Sequence, residues 1–444
     1  MSFDPYPLDT RVRAGVDDAG YEKPTPIQAK ALTDALAGRD VLGLAQTGTG
    51  KTAAFALPLL NRLVGGPRGH TRALVVAPTR ELADQIHAEI QRLGRRTGLR
   101  SATVYGGVGK MPQERALRGG AEIIVACPGR LLDHLRSGVG SLGRVEVLVL
   151  DEADHMFDMG FLPDIRRIVG QVPNDAQRLL FSATMPRELR HLAEEVLHDP
   201  LTVEIAHGAP AQTVEHALYP VAPDDKTRLL KHLLDRREVR STLVFTRTKH
   251  RAKRLAQQLD RAGYAVASLQ GNLSQNKRQK ALEGFKAGRY DVLVATDIAA
   301  RGIDVTRVSH VVNYDVPDTV EAYTHRIGRT GRAERSGDAL TLITREDGKQ
   351  VRAIERRLGA VNRVTVDGFD APGVPGPPRE GGGSGRGGRG GERHAQRSGA
   401  PSGGNAEGGR PSGGPRNRRG GRRGGRTRRG GRSGGARDAS RGGD

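Results

Sequence analysis

What the chain lacks narrows its class before any motif is read. It has one cysteine, Cys127, in 444 residues, which excludes an intrachain disulfide and any cysteine-based zinc site. Its 13 histidines show no metal-ligand spacing. No apolar run approaches the roughly 18 residues that span a bilayer. The N-terminus, Met1-Ser2-Phe3-Asp4-Pro5, has no charged start followed by an apolar stretch. A cytoplasmic protein with no membrane partner is expected. From Arg379 onward there is no aromatic residue and no aliphatic one larger than alanine. Such a segment cannot bury enough surface to offset its ordering entropy, so disorder is expected there.

Positive charge is present in excess. The formal charge is +21 and the pI about 10.7, a balance that favours polyanionic partners, nucleic acid before membrane. Residues 379–444 hold 17 Arg against 5 acidic residues, a net +12 that leaves +9 for the first 378 residues. The body is therefore basic without its tail.

The length is too great for one core and points to two globular domains with extra segments. From Val41 to about Glu204, short apolar runs alternate with helix-like segments. Val41–Leu44, Ala73–Ala77, Ile123–Cys127, Val145–Leu150 and Arg178–Phe181 read as buried strands of βαβ units around a parallel sheet. Prolines and a glycine around 206–222 interrupt the pattern and read as a connection. A second series follows: Thr242–Phe245, Ala265–Leu269, Asp291–Ala295, His310–Asn313 and Ala339–Ile343. The expected architecture is α/β, with two parallel-sheet domains in tandem. The boundaries are domain 1 at 1–208, a linker at 209–222, domain 2 at 223–368 and a Gly/Arg-rich tail at 369–444.

Parallel open sheets bind ligands at the carboxyl ends of their strands, and the polar motifs fall there. Ala45-Gln46-Thr47-Gly48-Thr49-Gly50-Lys51-Thr52 lies between an apolar run and a helix-compatible stretch reaching Leu63, the setting a phosphate loop needs. Ala45 stands where the generic motif has Gly. Gly48 and Gly50 permit turns that a Cβ would block, so several N–H groups can point at one phosphate. Lys51 supplies charge to the β/γ phosphates and Thr52 a hydroxyl to magnesium. About 100 residues later comes Asp151-Glu152-Ala153-Asp154, also after a strand-like run. Asp151 suits holding Mg²⁺ and Glu152 polarising a water. The second series has no phosphate loop, which suggests a domain that completes the first one's site.

These motifs, in this order, resemble those of the DEAD-box ATP-dependent RNA helicases, from Phe3 to about Arg332. The resemblance implies two RecA-like domains, an RNA-dependent ATPase with ATP and Mg²⁺, and RNA bound across both domains. Gly20-Tyr21-Glu22-Lys23-Pro24-Thr25-Pro26-Ile27-Gln28 is similar to the family's adenine-reading Q motif, with Phe3 as its isolated upstream aromatic. By that likeness Gln28 bonds adenine and Tyr21 stacks on it. An amide can donate and accept at once, which favours ATP over GTP. Pro78-Thr79-Arg80-Glu81-Leu82-Ala83, Gly106-Gly107 and Pro128-Gly129-Arg130 resemble the RNA-backbone contacts of the first domain. Cys127 stands where the family usually has threonine, which removes a hydroxyl from that contact. Ser182-Ala183-Thr184 resembles the motif coupling hydrolysis to RNA work.

In the second domain the likeness continues through Val244–Thr248 and through Gln275 with Arg278, placed on RNA. It extends to Ala295–Asp304, where Thr296 would touch RNA phosphate and Asp304 the ATP ribose. His325-Arg326-Ile327-Gly328-Arg329-Thr330-Gly331-Arg332 fits the sixth motif, with His325 coupling and Arg329 and Arg332 as arginine fingers. The Arg-Gly-Gly repeats resemble RNA-binding tails. Relatives of this build work in ribosome assembly, RNA decay or cold adaptation, which implies ribosomal precursors or the RNA-decay machinery as partners. Two rival readings share these residues: a DNA-translocating helicase, and a non-catalytic RNA clamp acting through its tail.

Overall fold

The computed structural model describes residues 2–46, 48–205, 214–236, 241–300, 308–330 and 337–369, all within one compact unit, Met1–Glu380. The first half forms β1 (Val41–Leu44), β2 (Ala73–Val76), β3 (Ser101–Val104), β4 (Ile123–Ala126), β5 (Val147–Leu150), β6 (Gln177–Ser182) and β7 (Leu201–Glu204). They pair in one parallel sheet in the order β3-β4-β2-β5-β6-β1-β7. The second half forms β8 (Val214–Pro220), β9 (Thr242–Phe245), β10 (Val266–Leu269), β11 (Val292–Ala295), β12 (His310–Asn313), β13 (Gly337–Ile343) and β14 (Asn362–Arg363). Their order, β10-β11-β9-β12-β13-β8-β14, repeats the path of the first sheet strand for strand, and every pairing is again parallel. These are two RecA-like α/β domains in tandem.

Helices cover both faces of each sheet, so the central strands are apolar throughout. In β2, Ala73 and Val75 enter one core while Leu74 and Val76 enter the other. In β5, Val147 and Val149 divide from Leu148 and Leu150 in the same way, as the two-residue period of a strand requires. Each such Val or Leu contributes about 1.5–3 kcal/mol on burial, an upper figure relative to an extended chain. The second sheet repeats the division, with Val244, Val294 and Val312 on one side and Leu243, Phe245 and Leu293 on the other.

Two boundary expectations need correction. The segment 209–222 is not a bare connection, because its part Val214–Pro220 is β8, fully paired to β13 from Gly337 to Ile343. Its other neighbour is the two-residue β14, so β8 is half-covered, with Glu215 exposed and His216, Ala217 and Pro220 only part-buried. That polarity and Pro220 make it read as loop. Phe369, expected to open the tail, packs under the Arg228 guanidinium at 4.4 Å and against His232 at 5.7 Å. The rest of the tail, and residues 206–213 of the connection, lie outside the described residues.

Candidate active site

The strand order sets the chemistry. β5, β6 and β1 are adjacent, so their carboxyl ends bring the Asp-Glu-Ala-Asp segment, the Ser-Ala-Thr segment and the phosphate loop side by side. Ser182 at the end of β6 pairs in register with Leu44, and its carbonyl accepts from the Ala45 N–H at 3.0 Å. The β2, β4 and β3 ends beside them carry Arg80, Gly129 with Arg130, and Gly106 with Gly107.

The phosphate loop turns through Gly48 and Gly50, at φ 87° and 91°, and Gly50 caps the helix Lys51–Leu63. A Cβ on Gly50 would lie 2.6 Å from Gln28 Nε2 and 2.7 Å from Thr25 Oγ1, so glycine is required by space as well as by φ. Gln28 is fully buried; its amide donates to the Gly50 carbonyl at 2.9 Å and accepts from the Thr25 N–H at 2.9 Å. Thr49 Oγ1 donates to the Gln46 carbonyl at 2.7 Å, bracing the loop. The Lys51 ammonium is buried and, among the described residues, has no hydrogen-bond partner. Thr52, half-buried, follows it on the first turn of the helix. Thr47 lies outside the described residues.

Asp151 and Glu152 are each 2% exposed. Asp151 Oδ1 accepts from the Glu152 N–H at 2.9 Å. Glu152 itself sits at φ 51°, an uncommon conformation for a side chain with a Cβ and one that clusters at functional sites. Burial pushes the Asp151 carboxyl up from its usual range against the opposing attraction of Lys51, with Glu152 beside it adding repulsion. Burial also penalises the Glu152 charge. There His155, Lys51 and Arg329 outweigh it and hold the carboxyl well below the usual range. Two neighbouring carboxyls with opposed shifts divide the roles of a site between them.

Asp154 ties this centre to the Ser-Ala-Thr segment. Its Oδ2 accepts from the Thr184 N–H at 2.9 Å and hydroxyl at 3.0 Å, while its own N–H donates to Ser182 Oγ at 3.2 Å. The Ser182 hydroxyl in turn donates to the Thr184 carbonyl at 2.7 Å.

Groups of the second sheet meet these residues. His325 Nδ1 lies 3.4 Å from His155 Nε2, the rings edge to face at 5.0 Å, and His155 Nδ1 is 2.9 Å from Glu152 Oε2. Burial, then repulsion from His155, pushes the His325 imidazole down to about 4. Arg329, 6% exposed, bears electrostatically on both Glu152 and His325. The intervening Arg326 anchors that turn. It donates to Asp297 Oδ2 at 2.7 Å, to the Asp315 carbonyl at 2.7 Å and to Asn313 Oδ1 at 3.1 Å. Arg332 and Asp304 lie outside the described residues.

A second meeting point joins the β2 end to the helix Gln275–Lys286. Arg278 Nε donates to Glu81 Oε1 at 2.7 Å, Gln275 Nε2 reaches the same oxygen at 3.4 Å, and Arg80 Nη1 donates to Gln275 Oε1 at 3.4 Å. Gly107, at φ 79°, leaves room for the Arg80 guanidinium, which a Cβ there would strike. Arg130 donates to the Val108 carbonyl at 3.2 Å, Gly129 is exposed, and Gly106 and Thr296 are half-buried. Cys127 caps the helix Pro128–Arg136 without any side-chain hydrogen bond.

Of the aromatics assigned to the nucleotide, Phe3 is buried to 1% exposure, edge-on to Tyr21 at 6.1 Å. The Tyr21 hydroxyl donates to Glu89 at 2.7 Å and Arg92 covers its ring at 5.2 Å. Sequence reasoning missed the joining roles of His155 and Glu81. Both were open to notice, one a histidine three residues from Glu152 and the other an acid inside a motif otherwise assigned to RNA.

The second domain's counterpart of the phosphate loop is spent. Lys226 opens the helix after β8 as Lys51 does after β1, but its ammonium donates to the Tyr314 carbonyl at 2.9 Å, with Asp315 at 3.9 Å and Asp347 at 4.0 Å.

A glycine loop and buried carboxylates on one RecA-like domain, with Arg329 of a second bearing on Glu152, define the class of tandem-domain nucleotide-dependent motor proteins. Residues 25–192 match the profile of the DEAD/DEAH box helicase family and residues 225–334 that of the helicase conserved C-terminal domain. The chain belongs to the DEAD-box helicase family. It is 43% identical over 354 residues to the ATP-dependent RNA helicase CshA of Listeria monocytogenes, covering 80% of this chain and 68% of that one. It is 43% identical over 359 residues to the DEAD-box ATP-dependent RNA helicase RhpA of Helicobacter pylori, covering 80% and 72%. Among solved structures it resembles S. cerevisiae Dbp5 bound to RNA and ADP BeF3, with TM-score 0.75 and 32% identity over 82% of this chain and 96% of that one. No helix among the described residues is long and apolar enough to cross a membrane.

Proposed function

We propose that this chain is an RNA-stimulated ATPase that uses ATP to separate short RNA duplexes or remodel RNA–protein complexes. One observation carries the reading: the buried Glu152 carboxylate lies under the charges of Lys51 in its own domain and of Arg329 in the other. A site whose parts come from two domains is complete only when they meet, so a ligand that favours the meeting drives turnover.

Gln28, at the loop and able to donate and accept, reads adenine, with Phe3 and Tyr21 forming the aromatic wall behind it. Gly48, Thr49, Gly50 and Thr47 would hold the phosphates, and the Lys51 ammonium, without a hydrogen-bond partner among the described residues, would supply charge to them. Asp304 holds the ribose. The Thr52 hydroxyl and the Asp151 carboxylate are oxygen donors of the kind Mg²⁺ selects. When bound there, Mg²⁺ would neutralise charge on the β and γ phosphates. Glu152, ionised, accepts a proton from the attacking water. Arg329 and Arg332 stabilise charge spreading over the transferring phosphoryl group. Asp154, held by Ser182 and Thr184 and faced by His325, links that event to the domain contact.

RNA lies across the strand ends that carry Arg80, Gly106, Gly107, Gly129 and Arg130 in the first domain and Gln275, Arg278 and Thr296 in the second. These groups suit phosphates and 2′-hydroxyls, so the core reads RNA with little sequence preference. The basic tail adds salt-sensitive affinity, and work in the cytoplasm on ribosomal or decaying RNA fits the reading.

The test is steady-state ATP hydrolysis with RNA, with single-stranded DNA and with neither. Stimulation by RNA and not by DNA is expected, and tail deletion should leave it in place. Equal stimulation by DNA would favour a DNA-translocating helicase. No hydrolysis under any condition would favour an RNA clamp.

A further inference from the structure

Beside the catalytic carboxylates lies a buried histidine that the reaction scheme leaves without work. We infer that His155 is a positioning residue for Glu152, and that it holds the base in place only while the two domains touch. This rests on the reading of Glu152 as the base.

Three observations carry it. The first is the contact itself: His155 Nδ1 lies 2.9 Å from Glu152 Oε2, and both residues are 2–3% exposed. An ionised carboxylate can only accept, so Nδ1 donates, and a charge-assisted hydrogen bond in a buried setting fixes direction strongly. The second is the backbone at Glu152, held at φ 51°. A residue in that conformation stays there only where its surroundings over-determine it, and the bond from His155 restrains its carboxylate end. The third is the other side of the ring. His155 Nε2 lies 3.4 Å from His325 Nδ1, on the second domain, so the imidazole is clamped between base and partner domain.

The consequence is mechanical. His155 belongs to the short helix Ala153–Asp158, whose first turn is fastened to Ser182 and Thr184 through Asp154. When His325 departs, the ring loses the partner on its Nε2 side, and the donor it offers Glu152 is less firmly fixed. Opening the cleft therefore does two things at once: it withdraws Arg329 and it releases the base. Asp151, Lys51 and Arg329 also face Glu152, and Asp154 and Arg329 face His325, so the imidazole pair works inside a shell of fixed charge.

The experiment compares His155→Ala, His155→Asn and His155→Gln in the full-length chain, alone and combined with Glu152→Gln. It measures RNA-stimulated kcat, KM for ATP, RNA affinity with a non-hydrolysable ATP analogue, and thermal unfolding. The Asn amide nitrogen falls near the place of Nδ1 and the Gln nitrogen near that of Nε2. The alanine variant is expected to lose roughly tenfold or more in kcat, the scale of a hydrogen bond to a charged group, with KM and RNA affinity near the parent's. His155→Asn should recover most of the rate and His155→Gln little. Adding His155→Ala to Glu152→Gln should cost nothing further, because the two act as one unit.

Parent-like kcat in His155→Ala, equal rates in the Asn and Gln variants, or additive losses in the double variant would each overturn the inference. So would a loss confined to RNA affinity, which would make His155 a closure contact alone. If the alanine variant does not fold, the Asn–Gln comparison still decides. Parent-rate turnover by Glu152→Gln would instead remove the base assignment beneath it.

Discussion

Breaking the Glu81–Arg278 ion pair should weaken closure without harming either domain. The pair spans the two domains at 2.7 Å, and its side chains are only 5% and 10% exposed. Arg278 also reaches the carbonyls of Gln270 and Ala299, each at 3.4 Å, so it is held in place by its own domain. Replacing Glu81 by glutamine keeps the shape and removes the charge. The guanidinium is then buried against a neutral amide while the domains touch, and is hydrated when they part. Breaking a buried pair costs about 3–5 kcal/mol where the surviving charge cannot escape. Here escape is available through opening, so the loss falls on the closure equilibrium and the upper figure is a bound. Even about 1.4 kcal/mol lowers the closure equilibrium constant tenfold, and where the closed form is the minor one before RNA binds, apparent RNA affinity falls by the same factor. RNA binding by Glu81→Gln, titrated in the presence of a non-hydrolysable ATP analogue, should therefore weaken by at least about tenfold. Fluorescence transfer between dyes on the two domains should report a matching loss of the closed state. The melting temperature should barely move. Unchanged RNA affinity and unchanged dye separation would refute the reasoning, because the pair would then contribute nothing to closure.

Other expectations are more local. Lys51→Ala should weaken ATP binding strongly and with it turnover, since the buried ammonium proposed to meet the phosphates is gone; retained ATP affinity by calorimetry would count against the phosphate-loop assignment. Gly50→Ala should lose nucleotide affinity too, because the new Cβ meets Gln28 Nε2 and Thr25 Oγ1 in a left-handed turn. A parent-like affinity would show that the loop adapts. Closure should also depend on pH through His325. Burial and His155 push that imidazole down to about 4 where the domains touch, and once hydrated in an open form it should return toward the ordinary value of about 6.5. Between those values the open form takes up the proton and the closed form does not. Stability of closure is thus intact above about 6.5 and lost as pH falls toward 4, at roughly 1.4 kcal/mol per unit. RNA affinity in the ATP-analogue state should drop roughly tenfold from pH 7.5 to 5.5, and His325→Asn should flatten that slope. A flat parent profile would rule out His325 as the titrating group.

The sequence was most readable where burial is greatest. The inner strands β2, β4, β5, β9, β11 and β12 are buried along their whole length, so each stands out as an apolar run. The polar motifs at their ends mark the ligand face. The two edge strands of the first sheet escaped for the same physical reason. β3, Ser101-Ala102-Thr103-Val104, buries only Val104, and β7, Leu201-Thr202-Val203-Glu204, only Val203. β8 was hidden by its polar and part-buried residues, Glu215 and His216 among them, and by its closing proline. Residue types and spacing were enough to nominate Lys51, Asp151, Glu152 and Arg329. They said nothing of how the halves join. Glu81 and Arg278 are 197 residues apart and His155 and His325 170 apart, and no local pattern signals a contact at that separation.

The composite nature of the site is tested most directly by Arg329→Ala in an RNA-stimulated ATPase assay with ATP affinity measured alongside. Turnover should fall by roughly 10³ or more while ATP binding stays near the parent's, because on the proposed reading this cation would meet the phosphoryl group only from the opposite domain. Turnover at the parent rate, or a loss accounted for entirely by weaker ATP binding, would contradict a catalytic centre assembled from both halves of the chain.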